Sequence, residues 1–110
     1  MEINTKKVEN IAVASVKGRM DAVTVQEFEK SVSELLSGGE NILLVNFSEL
    51  EYISSAGLRS ILATAKQLKA RNGEIMFTGL KNTVKEVFEI SGFYSIFKTF
   101  ETEEEALTQR

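Results

Sequence analysis

The stretch EYISSAGLRSIL (Glu51–Leu62) holds the side chains best placed to do chemistry: adjacent serines, Ser54 and Ser55, ahead of Gly57 and an apolar periodic run. A serine hydroxyl can cap a helix, or act as a nucleophile if a base takes its proton. The chain contains no histidine and no cysteine. That excludes imidazole-activated serines, thiolate nucleophiles, disulfides, and thiolate or imidazole metal sites. A lysine base or a carboxylate-only cation site survives the count, but no cluster of the required residues occurs. SSAG also lacks the extra glycines and the lysine of a phosphate-cradling loop. Local chemistry therefore favours helix capping, and no catalytic residue, metal ligand or cofactor is expected.

The elements that must position the serines follow from patterning. NIAVASVKG (Asn10–Gly18) reads as a strand, with a first strand in Ile3–Val8 able to pair with it as a hairpin. From Thr24 the apolar residues Val25, Phe28, Val32, Leu35 and Leu36 repeat at helical spacing until Gly38 and Gly39. Thr24 and Glu27 have the spacing of a capping box. NILLVNF (Asn41–Phe47) is the unbroken apolar run of a central strand covered on both faces. After a short loop, Leu58, Ile61, Leu62, Ala65 and Leu68 form a second helical stripe, ending where Asn72 or Gly73 can take a left-handed cap.

EIMFTGL supplies a strand over Glu74–Thr78 or slightly beyond, parallel to the previous one because a helix connects them. A third helix runs from about Thr83, with Val84, Val87 and Phe88 inward, and stops at Gly92, where Phe93 is expected to meet Phe88. SIFKTF reads as a short last strand. TEEEALTQR reads as a final helix with Thr102 and Glu105 as a capping box. The serines thus fall where the central strand gives way to a helix, the side on which open α/β sheets place functional groups.

Composition narrows the partners. One domain of 110 residues is expected, with 43% hydrophobic and 26% charged residues as in a folded globular chain. A net charge of −3 supplies no broad positive field, so neither nucleic acid nor an anionic membrane is an expected partner. MEINTKKVEN lacks the apolar core of a signal peptide, and a cytoplasmic location is the expectation.

GRMDA, LLVNFSELEYISSAGLRSIL, GEIMFTGL and VKEVFEISGF occur in the order and spacing of one family. The chain resembles the bacterial anti-sigma factor antagonists, single-domain members of the STAS family, over nearly all of residues 1–110. The resemblance implies an α/β STAS domain: a mixed, largely parallel sheet of four to five strands with about four helices. It also implies a binding protein and not an enzyme. In that family the serine two before the motif glycine is phosphorylated by an anti-sigma factor serine kinase. Here the glycine is Gly57 and the matching serine is Ser55. Ser54 stands at the family's usual aspartate, and Ala56 at its second hydroxyl residue.

Asp21 of GRMDA matches an acidic loop residue that lies near the phosphorylation site in that family. Its local reading is a turn residue capping the first helix. The expected partner face comprises Asp21, Ser54, Ser55, Ala56, Gly57, Arg59, Ser60 and Thr64. Arg59, Ser60 and Thr64 are expected on the outer side of the second helix, and Leu58, Ile61 and Leu62 in the core. The implied cycle is binding of the kinase and sigma release by the unmodified form, loss of binding on phosphorylation, and resetting by a phosphoserine phosphatase. A STAS scaffold in a larger signalling complex is the nearer alternative; a small nucleotide-binding domain is the more distant one.

Overall fold

The computed structural model describes residues 1–109, with strands β1 (Glu2–Val8), β2 (Ile11–Met20), β3 (Ile42–Ile53), β4 (Glu74–Thr78) and β5 (Lys98–Phe100). The helices are α1 (Val25–Ser37), α2 (Ser55–Ala70), α3 (Asn82–Ser91) and α4 (Glu103–Gln109). Arg110, the end of the expected last helix, lies outside the described residues. The strands form one sheet in sequence order, β1-β2-β3-β4-β5. Only the β1–β2 hairpin is antiparallel; each later pair is parallel. This is the mixed, largely parallel sheet expected from the sequence.

The sheet has unequal faces. Phe28 and Val32 of α1, Ile61 and Leu68 of α2, and Val84 and Phe88 of α3 bury against Ala14, Val16, Val45, Phe47 and Phe77. Beneath α3, Phe88 meets Phe77 edge-on at 5.2 Å and Phe93 at 5.2 Å. Such pairs are each worth about 0.5–1.5 kcal/mol beyond area burial. Gly92 closes α3 in the left-handed region, φ 78°, which glycine adopts without a Cβ penalty. The other face has a smaller cluster, Ile11, Val13, Leu44 and Met76 under Ala106 of α4. Lys6 Nζ lies 2.7 Å from Glu103 Oε2, and the Asn46 amide donates to Glu103 Oε1 at 3.1 Å, tying α4 to the sheet.

β3 departs most from expectation. It runs on from Phe47 to Ile53, so Ser54 alone separates it from α2. Between Ser15↔Asn46 and Lys17↔Glu49, and again between Gly18↔Leu50 and Arg19↔Tyr52, β3 spends one residue more than β2. Each bulge re-phases the alternation. The helix-facing residues therefore read Leu43, Val45, Phe47, then Leu50, then Ile53. A period-two reading stops at the first bulge.

The α1 start also differs from the expected capping box. Thr24 is already helical (φ −88°, ψ −18°) and its side chain makes no cap bond. Its hydroxyl donates instead to the Arg19 carbonyl at 2.7 Å and accepts from the Asp21 amide at 2.9 Å. At the end of α2, Asn72 (φ 58°) takes the left-handed position.

Candidate functional site

The serine pair and the GRMDA turn meet at the carboxyl ends of neighbouring parallel strands. Met20 pairs with Ile53, and the Ser54 amide donates to the Met20 carbonyl at 2.9 Å. The two turns are thus held by one short backbone bond. Ser54 is the N-cap of α2, extended at φ −96° and ψ 176°, and its Oγ accepts from the Gly57 amide at 3.4 Å. Ser55, the next residue, is the first of the helix and is exposed. The first turn of α2 contains no acidic side chain, so the helix's positive end lacks a built-in anion.

Gly57 is fixed by space. A Cβ there would fall 2.6 Å from Ile53 Cγ1 and 3.1 Å from Met20 Sδ, so only glycine lets α2 come this close to the strand ends. Gly57 is buried and Ala56 half-buried, backing the serines and not projecting outward. Arg59 is exposed one turn along from Ser55.

Asp21 takes the turn-capping role of its local reading. Its Oδ1 accepts from the Val23 and Thr24 amides, each at 3.0 Å, so it caps the turn ahead of α1. The Thr24 and Val23 amides hold its carboxyl below the usual aspartate range, and Arg19 adds to this. Arg19 Nε lies 3.9 Å from Asp21 Oδ2, and its guanidinium stacks 4.3 Å over the Tyr52 ring.

Two expected contact residues turn inward. Ser60 is 4% exposed and Thr64 5%, the reverse of an outer position. The buried line on α2 runs Gly57, Ile61, Thr64, Leu68, with Ser60 beside it facing α1. Thr64 satisfies its hydroxyl on the Ser60 carbonyl at 2.9 Å, which lets a polar residue sit in that line. Leu62, expected in the core, lies about 100° round the helix from Ile61 and is 36% exposed. Val23, at 84% the more exposed apolar residue beside this turn, was not singled out from sequence. The available signal was an aliphatic side chain in a turn, outside any stripe.

Among the described residues no group of three acidic side chains is placed to hold a metal ion, and no helix is long and apolar enough to cross a membrane. The STAS domain family model matches residues 2–106. The chain belongs to the STAS domain family. It is 37% identical over 106 residues to BtrV of Bordetella bronchiseptica, named as a candidate anti-sigma factor antagonist, covering 96% of this chain and 91% of that protein. The anti-sigma-B factor antagonist of Staphylococcus aureus is 27% identical over 92 residues, covering 84% of this chain and 85% of that one. Among solved structures, the anti-sigma factor antagonist SpoIIAA superposes in its unphosphorylated form with a TM-score of 0.84, at 24% identity over 98% of this chain and 95% of that one. Its phosphorylated form, from Bacillus, superposes at 0.77, with 23% identity over 98% of each chain. At these identities SpoIIAA establishes the fold of the STAS domain alone.

Proposed function

We propose that this STAS domain is an anti-sigma factor antagonist. Its unmodified form binds an anti-sigma factor serine kinase and releases the sigma factor; phosphorylation of Ser55 ends that binding; a phosphoserine phosphatase restores it. The protein is a phosphoacceptor and binding module of the cytoplasm, with no catalysis of its own. The antagonist names of BtrV and the Staphylococcus aureus protein support the class. The observation that carries the site is Ser55 itself: exposed, first in α2, and tied through Ser54 to the Asp21 turn.

Transfer joins the ATP γ-phosphorus to Ser55 Oγ, breaks its bond to the β-phosphate oxygen, releases ADP and passes the hydroxyl proton to the kinase. The product carries about −1.5 to −2 charges at neutral pH. A helix start with free amides accommodates such a group, so the fold survives and the effect falls on the docking face. Exposed Val23, Leu62 and Arg59 are the neighbouring side chains a partner would meet. Incubation with the cognate kinase and [γ-32P]ATP, followed by peptide mapping, tests the assignment. Label is expected on Ser55 and absent from Ser55→Ala; undiminished labelling of that variant overturns the site.

A further inference from the structure

We infer that Arg59 is the intramolecular counter-charge for a phosphate on Ser55, so that modification withdraws a cation from the docking face while adding an anion. The inference rests on the Ser55 reading above and names how that site is regulated.

Ser55 and Arg59 are both exposed and four residues apart on α2. Side chains at that spacing are neighbours, with Cβ atoms about 5–6 Å apart. Helical side chains lean toward the amino end, which carries the Arg59 guanidinium back over the turn of Ser55. Among the described residues Arg59 makes no ion pair, and the first turn of α2 offers no carboxylate to compete. The charged groups nearest the head of α2 in the flanking turns are Arg19 and Asp21 before α1 and Glu51 of β3. α1, which packs on α2, carries Glu27, Glu29, Lys30 and Glu34, of which Glu29 lines the groove beside Ser60. Arg19 is already engaged, between Asp21 and the face of Tyr52. The free guanidinium, whose forked donors match phosphate oxygens, is Arg59.

In the unmodified chain Arg59 is available to an acidic group of the partner. With a dianionic phosphate beside it, this helix face passes from one positive charge to about one net negative charge. The unpaired cation that the partner could use becomes internally paired.

The test installs phosphoserine at position 55 during translation, so that it needs no kinase, and follows its second ionisation by 31P NMR. In the otherwise unaltered chain the phosphate is expected to titrate about 0.2–0.4 unit below its value in Arg59→Gln, the size of an exposed one-turn ion pair. Arg59→Lys is expected to fall between the two. Equal titration with and without Arg59, or a shift produced by Arg19→Gln in place of Arg59→Gln, overturns the inference. Failure of the Ser55 reading is separate: it appears as absent labelling by the kinase, whatever the titration gives.

Discussion

Two helix starts in this molecule share one capping device and differ in the residues just past the cap. Ser54 Oγ accepts from the amide of Gly57 at the head of α2, and Thr102 Oγ1 accepts at 3.1 Å from the amide of Glu105 at the head of α4. After the cap, α4 reads Glu103, Glu104, Glu105, whereas α2 reads Ser55, Ala56, Gly57. α4 supplies its own anions to its positive end, and one of them, Glu103, also docks it to the sheet. α2 supplies none. The difference separates a helix start completed by its sequence from one left open to an added charge, and the open one lies on the exposed end of the sheet beside Asp21.

The two starts are expected to diverge most at the third position after each cap. Gly57→Ala is expected to cost about 1–3 kcal/mol, because its Cβ must displace Ile53 and Met20. Glu105→Ala at the matching position of α4 is expected to cost less than about 0.5 kcal/mol, as for an exposed or half-exposed surface change. Urea denaturation of the two variants measures both. Equal costs would mean that α2 does not owe its close approach to the glycine.

Both caps were legible in the sequence, and so were the hairpin, the α1 and α3 stripes and the Gly92 stop, because each rests on local chemistry or a regular period. Phe93 meets Phe88 as the stop signal implies. The rest was hidden for particular reasons. Two bulges extend β3 past Phe47, and a bulge has no signature in hydrophobic alternation. Ser60 and Thr64 are buried by their place on the helix line despite their polarity, and Leu62 is exposed by its angle despite being apolar. At the site, Ser54 was legible as a cap. The nearness of Asp21 came from the resemblance and not from spacing, since the bond joining the two turns links residues 34 apart in the chain. Thr24 failed as a cap because its hydroxyl is engaged by the Arg19 carbonyl and the Asp21 turn, while the Glu27 amide donates to the Thr24 carbonyl at 2.9 Å.

A smaller effect separates the caps themselves. Ser54→Ala and Thr102→Ala are each expected to lose about 1 kcal/mol by thermal or urea unfolding. Ser54→Asp should do the opposite, gaining about 0.3–1 kcal/mol, because it places an anion at a helix end that has none. Thr102→Asp should gain less, since three glutamates already occupy that first turn. If Thr102→Asp gains as much as Ser54→Asp, the absence of acid in α2 has no energetic meaning.

The smallest expected effect lies in the pH dependence of α4. Burial alone would raise the Glu103 carboxyl, but the Lys6 ammonium and the Asn46 amide outweigh it and hold the group below the ordinary glutamate value of 4.5. A carboxyl whose pKa is lower in the folded chain stabilises the fold above the unfolded value. That contribution fades as pH falls through 4.5 toward the lower folded value. At pH 7, Glu103→Gln is therefore expected to be less stable by about 0.5–1 kcal/mol, a modest figure because Lys6 stands largely in solvent. The gap should close as the solution is acidified below that window. Asp21, also depressed, titrates in both proteins and cancels from the difference. A gap that persists unchanged at pH 2 would assign the loss to packing and not to the ion pair. α4 would then be held by Ala106 and its apolar neighbours, and the charge contrast between the two helix starts would rest on α2 alone.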